Sequence, residues 1–334
     1  MKRPPNLQKG DTIALVAPSF GCATEPYLIR LDVSIKKWKG KGFRIEEGPN
    51  VRRQDGVIAS ASPKERAEEI MWALHSDAKL VLSVGGGELM SEMVPELDFS
   101  QIAKLEPKWF MGFSDNTHLT FLLTTLCGWQ TIYGPCAPNF FQKSWRLCEK
   151  DAYEMLQGRR HFEGYPKYSI SRHNPRPLVS YWCTQKKVIT PYQYKKPFTG
   201  TMLGGCLDIL QLYCGTPYDQ VARFNKEHPE GIIWYLEACD YNVAALRRGY
   251  AQLKQCGWFD NVSGFVLGRP ARAMEEFLGA DHIQAAIDIL GPLGKPILID
   301  CDLGHIKPSM PFLNGAKAKV AYENENIIID YLDE

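Results

Sequence analysis

The feature that most constrains this chain is a set of short apolar runs separated by segments of helical character. TIALVA (12–17), KLVLSV (79–84), WFMGF (109–113), GIIWYLE (231–237), GFVLG (264–268) and KPILIDC (295–301) are too short for core helices. Apolar runs of this length, bounded by glycine, proline or charge, are the pattern of strands covered on both faces. Between the first of them lie an amphipathic stretch over 26–41 and a helix opened by the capping box Ser62-Pro63-Lys64-Glu65 and running to His75. A third helix is expected from Asp115 to about Cys127. FRIEE (43–47) and TIYG (131–134) complete the strand set of this half. Strands alternating with helices imply an α/β fold with a doubly wound parallel sheet, whose ligands bind at the carboxyl ends of the strands.

At 334 residues the chain exceeds the usual single domain, so two domains are expected. The first spans 1–136. From 137 to 198 proline, charge and aromatic residues mix without period (NPRPLVSYW, TPYQYKKPF). This reads as a connecting region with one helix near 149–157 and some antiparallel strand. A second α/β domain covers 199–334. In it LGGCLDILQLYCG (203–215) reads as a glycine-bounded helix, and further helices are expected at 242–256 and 281–290. AKAKVAY (316–322) and IIIDYL (327–332) read as a closing hairpin.

With 39 basic and 38 acidic residues, the chain has no charge excess that would point to nucleic acid or an anionic membrane. No run approaches the roughly 20 apolar residues of a membrane helix, and the apolar stretch near the N-terminus is too short for a signal segment. Ten cysteines without a Cys-x-x-Cys pair, several inside apolar runs, suggest reduced thiols and a cytoplasmic setting. No metal-binding spacing of His, Cys or Asp is present.

Four local features carry chemistry. Gly112-Phe113-Ser114-Asp115 takes a strand straight into a helix through a serine, lifting its hydroxyl to a positive helix end. Asn116 stands where the second glycine of a nucleophile elbow would be, and a helix cap is the competing role for Ser114. Gly85-Gly86-Gly87 after the strand 79–84 allows close backbone approach to a ligand, or is a plain tight turn. His305, between Gly304 and Ile306-Lys307-Pro308, is a loop histidine suited to act as a base, with His118 as its rival. Glu237 ends an apolar strand and needs a partner; imidazolium or a salt bridge would serve, and Asp240 competes for the same role. Trp182 could stack on a ligand ring, and Arg269 and Arg272 could clamp a carboxylate or phosphate.

GDTIALVAPS (10–19), GGGELMSEMVPELD (85–98), GFSDNT (112–117), YGP (133–135), MLGGCLDILQLYCGTPY (202–218), YLE (235–237) and LGHIKPSMPFLNGAKAKV (303–320) follow one another along the chain. Together they resemble the LD-carboxypeptidase family, which includes muropeptide LD-carboxypeptidases and microcin C self-immunity peptidases. The resemblance implies a flavodoxin-like N-terminal domain and a separate swivelling C-terminal α/β domain. It implies a triad of Ser114 as nucleophile, Glu237 as acid and His305 as base, with the amides of Gly86 and Asp115 as oxyanion donors. Gly85 and Gly87 would flank the substrate. It further implies no metal or cofactor, a small peptide or peptide conjugate as substrate, and a homodimer. The sequence departs from the family pattern at Gly87-Glu88 and at Cys206, where asparagine is common. The long stretch before 198 is closer to the microcin-immunity branch. A muropeptide, a peptidyl nucleotide, or non-catalytic binding of a small ligand are the alternatives that remain.

Overall fold

The computed structural model describes every residue except 144, 146, 171–177, 273–275, 277, 333 and 334. The chain divides into two compact units. One is built from Met1–Arg159, residues 178–180 and Pro311–Leu313, the other from residues 160–170, Tyr181–Met310 and Asn314 onward.

The first unit carries β1 (Thr12–Val16), β2 (Arg44–Glu47), β3 (Leu80–Ser83), β4 (Trp109–Gly112) and β5 (Thr131–Tyr133). Every residue of β1, β3 and β4 is buried, which is why each reads as a continuous apolar run. These strands pair in parallel in the order β2-β1-β3-β4-β5. That is the flavodoxin-type order, with the topological switch between β1 and β3. The helix Pro63–His75 begins at the expected capping box, with Ser62 and Glu65 bonding reciprocally. The helix expected from Asp115 starts instead with a 3-10 turn, Ser114–Asn116, and continues as Thr117–Thr125.

The second unit contains β6 (His161–Glu163), β7 (Lys167–Tyr168), β8 (Gln185–Lys186), β9 (Thr190–Tyr192), β10 (Phe198–Cys206), β11 (Ile232–Glu237), β12 (Val262–Gly268) and β13 (Ile297–Cys301). Then come β14 (Phe312–Asn314), β15 (Lys317–Glu323) and β16 (Asn326–Tyr331). Its eight-stranded sheet has the order β6-β16-β15-β10-β11-β12-β13-β9. The four strands β10 to β13 are parallel neighbours, and antiparallel strands flank them. The hairpin expected at the end of the chain is β15–β16.

Three features differ from the sequence reading. The segment 203–215 is not one helix: β10 runs through Leu203-Gly204-Gly205-Cys206, and helix occupies only Leu207–Leu210 before a 3-10 turn. Thr201–Cys206 pairs residue by residue with Ile232–Glu237. Gly204 lies so close to the Tyr235 carbonyl that no side chain fits there, so tertiary pairing overrides the helical spacing of the leucines. The stretch 137–198 is not a separate connector either. Its helix Cys148–Leu156 belongs to the first unit, and β6 and β9 become the two edges of the second sheet. Finally, Phe312 and Leu313 of β14 leave the second unit and extend the first sheet beside β5.

Candidate active site

In the first unit the carboxyl ends of β1, β3 and β4 place three turns together. Ser114 follows β4 with a φ of 65°, a left-handed conformation that a non-glycine residue adopts at a cost of about 1–3 kcal/mol. A strained strand-to-helix turn is the geometry that lifts a side chain out of a sheet toward solvent. Ser114 is not the helix cap; that position belongs to Phe113. The Ser114 N–H donates to the Tyr133 hydroxyl (3.0 Å).

Asn116, the apparent departure from an elbow, supplies a tie of its own. Its Nδ2 donates to the carbonyls of Gly85 (2.8 Å) and Phe113 (3.0 Å), fastening the triglycine turn to the serine turn. A Cβ at Gly112 would come within 2.5 Å of the Asn116 side chain, so glycine is required beneath it. A Cβ at Gly86 would sit 3.0 Å from the Ser114 Cβ and 3.3 Å from its Oγ. The Gly86 carbonyl accepts from the Phe20 N–H (3.1 Å), which orients that peptide. Gly87, with a φ of 155°, packs directly on the Ser19 hydroxyl.

Asp115 is buried and holds the turn from below. Its carboxylate accepts from the Ser19 hydroxyl and the Met90 N–H (3.0 Å) and lies 3.3 Å from His118 Nε2. Burial pushes the Asp115 carboxyl up, but His118, Ser19 and the Met90 amide more than offset this and hold it below the usual carboxylate range. His118 is therefore a buried partner of Asp115. Neither Ser19 nor Tyr133 was singled out from the sequence; the signals available were the motifs that contain them, GDTIALVAPS (10–19) and YGP (133–135).

In the second unit Glu237 ends β11, fully enclosed, and its Oε2 lies 2.8 Å from Nδ1 of His305. The imidazole is 15% exposed. Two glycines make room for this pair. A Cβ at Gly304 (φ 104°) would fall 2.6 Å from Glu237 Oε2, and one at Gly268 would fall 3.0 Å from Glu237 Cβ. The Gly304 N–H donates to Ser309 Oγ (2.9 Å), fixing the start of the histidine loop. Burial lowers the His305 pKa, but the Glu237 charge and hydrogen bonds from the imidazole to Cys239 and Glu237 outweigh it, so the imidazole titrates above its ordinary value.

The misread strand β10 matters here. Its pairing sets Cys206 opposite Glu237, and Asp208 then reaches the loop beyond β11. Asp208 Oδ2 accepts from the Cys239 N–H (3.1 Å) and the Cys206 thiol (3.4 Å), and Oδ1 accepts from the Asp240 N–H (3.1 Å). Asp240 is thus tied through its backbone to Asp208, while Glu237 is the carboxylate on the histidine. Burial raises the Asp208 pKa above its ordinary value.

Arg269 corrects the expectation of a ligand clamp. It is buried, bonds the Asp300 carbonyl and the Asp302 carboxylate, and stacks over Tyr168 at 4.6 Å. Asp302 also accepts from Lys187 Nζ (3.1 Å) and the Tyr165 N–H (2.7 Å). Arg269 and Asp302 thus tie Tyr165, Tyr168 and Lys187 together, because a buried charge must find its counter-charge inside the protein. Arg272 is exposed, with NH1 3.4 Å from the Asp240 carbonyl. Trp182 is 76% exposed. Among the described residues no group of His, Cys, Asp or Glu is arranged to hold a metal ion, and no helix is long and apolar enough to cross a membrane.

Comparison with known proteins follows the same division. Residues 13–134 match the LD-carboxypeptidase N-terminal domain and residues 199–320 the LD-carboxypeptidase C-terminal domain. The probable murein peptide carboxypeptidase of Bacillus subtilis is 25% identical, with 98% of this chain and 94% of that protein covered. The microcin C7 self-immunity protein MccF of Escherichia coli is 24% identical over 97% of this chain and 94% of its own length. Among solved structures, MccF in complex with aspartyl sulfamoyl adenosine superposes with a TM-score of 0.80 at 23% identity, covering 99% of this chain and 98% of that one. An MccF-like protein from Bacillus anthracis gives 0.81 at 22% identity, with 99% and 100% covered.

Proposed function

Since this chain belongs to the LD-carboxypeptidase family, we propose that it is a serine-type carboxypeptidase acting through Ser114, His305 and Glu237. The observation that carries the proposal is the enclosed carboxylate of Glu237, 2.8 Å from His305 Nδ1. That bond leaves Nε2 as the proton-accepting atom. A carboxylate so placed orients the ring and stabilises the imidazolium formed when a hydroxyl is deprotonated.

In this reading His305 Nε2 takes the proton of Ser114 as Oγ attacks the carbonyl carbon of the scissile amide. The N–H groups of Gly86 and Asp115 receive the oxyanion; removing one such donor typically costs about 10²–10³ in rate. The imidazolium then protonates the leaving amine, an acyl-enzyme remains on Ser114, and water activated by His305 releases it. The strain at Ser114 and the closeness of Gly86 to its Cβ support these roles.

The substrate we assign is a small peptide cleaved near its carboxyl terminus, an LD-carboxypeptidase-type action on cytosolic muropeptides that would serve peptidoglycan recycling. Gly85, Gly87, Trp182 and Arg272 are the candidates to contact it. Ten cysteines without a disulfide support a reducing, cytoplasmic setting. A homodimer is part of the same reading. The second reading is hydrolysis of an aminoacyl or peptidyl nucleotide, favoured by the full-length likeness to MccF bound to aspartyl sulfamoyl adenosine.

Hydrolysis of a muropeptide tetrapeptide and of aspartyl sulfamoyl adenosine, followed by mass spectrometry, separates the two. Release of the terminal D-amino acid from the first is expected, with Ser114→Ala inactive and a fluorophosphonate labelling wild type alone. A folded protein that neither labels at Ser114 nor cleaves either compound sinks the hydrolase proposal.

A further inference from the structure

Away from the residues discussed so far, two helical segments of the second unit end side by side, each on a cysteine. The 3-10 turn Gln211–Tyr213 is closed by Cys214, and the helix Val243–Gln255 by Cys256. The segments pack closely because position 249 is glycine: a Cβ there would lie 3.0 Å from Leu207 Cδ2 and 3.4 Å from Gln211 Oε1. Beyond the cysteines, Asp219 fastens both chains with one oxygen. Its Oδ2 accepts from the Gly215 N–H (3.3 Å) and from the Trp258 indole N–H (3.0 Å). Asn225 Nδ2 adds bonds to the carbonyls of Gly257 (3.4 Å) and Trp258 (3.3 Å). The residue after Cys214 and the residues just after Cys256 are therefore held in one place, which brings the two thiols close enough to influence each other's titration. Neither is in a disulfide; Cys256 is exposed and Cys214 half-buried.

We infer that Cys214 and Cys256 form a dithiol that closes to a disulfide when the protein meets a peroxide. The exposed Cys256 sulfur attacks one peroxide oxygen, the O–O bond breaks, and a sulfenic acid forms with release of water. The Cys214 sulfur then attacks that sulfenic sulfur, the S–O bond breaks, and the departing hydroxide takes the Cys214 proton as a second water. Two thiols and one hydrogen peroxide give one disulfide and two waters, so the sulfurs are oxidised by two electrons and the peroxide reduced by two. Burial, the neighbouring Cys256 and Asp219 all push the Cys214 thiol up, which makes it the poorer first nucleophile and leaves the first attack to the exposed Cys256. The closed loop would contain β11, and with it Glu237. This inference does not depend on the hydrolase reading.

The test is oxidation of the full chain with hydrogen peroxide, followed by alkylation, digestion without reductant and mass spectrometry. The expected result is loss of two hydrogens, one cross-linked peptide pair containing Cys214 and Cys256, and a higher thermal midpoint that reverts with dithiothreitol. Cys256→Ser, a change at an exposed helix end, should abolish both the cross-link and the shift; Cys214→Ser should leave Cys256 over-oxidised. The inference is overturned if wild-type Cys256 runs on to sulfinic or sulfonic acid while Cys214 stays alkylatable. It is equally overturned if the bond maps to other cysteines, or if neither thiol reacts.

Discussion

Gly304 approaches Glu237 so closely that a single added methyl group would sit 2.6 Å from the carboxylate oxygen bonded to His305. The glycine also holds a φ of 104°, a region that side chains avoid. Gly304→Ala therefore faces strain from both sources. The expected outcome is destabilisation of about 1–2 kcal/mol and, on the proposed mechanism, a kcat loss of about 10²-fold from displacing the histidine. Urea unfolding and steady-state kinetics on the muropeptide check the two parts separately.

The raised pKa of His305 predicts the pH profile. Only neutral imidazole accepts the serine proton, so kcat/KM should climb with pH along a limb whose midpoint lies above the ordinary histidine value of about 6.5. In Glu237→Gln the stabilising charge is gone, burial is opposed only by the Cys239 contact, and that midpoint should move down. The rate should fall by about 10⁴, the size seen when the orienting carboxylate of such a triad is neutralised. A midpoint that stays put in the variant would remove Glu237 from the proposed role.

Asp208 offers a sharper separation of positioning from chemistry. Its carboxylate secures the Cys239 and Asp240 amides, two and three residues beyond Glu237. Asp208→Ala should leave two amides without acceptors, at about 1–3 kcal/mol in stability, and lower kcat by roughly tenfold through a loosened Cys239–His305 contact. Asp208→Asn keeps one acceptor oxygen and should recover part of the rate. Equal loss in both variants, with KM rising instead of kcat falling, would argue against this account.

Asn116→Ala tests the tie between the triglycine turn and the serine turn. Without Nδ2 the Gly85 and Phe113 carbonyls lose a shared donor, and Gly86 is no longer held against Ser114. We expect kcat to drop by about 10–10² with little change in KM, since oxyanion contacts form in the transition state. Fluorophosphonate labelling should slow in parallel.

Glu69 sets a stability trend in the first unit. Buried in the helix Pro63–His75, it accepts from the Ala17 N–H (2.7 Å) and the Asn50 N–H (2.8 Å). Burial outweighs these bonds and pushes its carboxyl from 4.5 up to about 7. Between those values the unfolded chain has released the proton and the folded one retains it. This group's contribution is therefore complete below about pH 4.5 and is lost as pH rises toward 7, by about 3 kcal/mol in all. Urea midpoints across that range should show the decline in wild type and its absence in Glu69→Gln.

The parallel strands were readable because burial on both faces leaves no polar position to break the run, as in β1, β3, β4 and β11. Ser114 was readable because a serine between a strand and a helix is a local event. β10 was not: Leu203, Leu207 and Leu210 sit at helical spacing, and only the partner strand β11 turns Gly204 and Gly205 into extended chain. With that strand went the sequence's chance of finding Asp208. Arg269 was misjudged for a related reason, since its buried counter-charge Asp302 lies 33 residues away in sequence.

The sequence by itself determined the α/β class, the flavodoxin-like start, the capping of the helix at Ser62 and the candidates Ser114, Glu237 and His305. The class, the cap and the three residues as bare candidates rest on contacts between neighbours a few residues apart, or on burial that imposes its own composition. The flavodoxin-like start and the choice of His305 over His118 came with the family resemblance. Tertiary structure alone decided which carboxylate meets His305, which glycines are required beside Glu237 and Ser114, and which charges serve the scaffold. Those outcomes depend on pairs far apart in the chain, where hydrogen-bond reach and the cost of burying an unmet polar group select one partner from many.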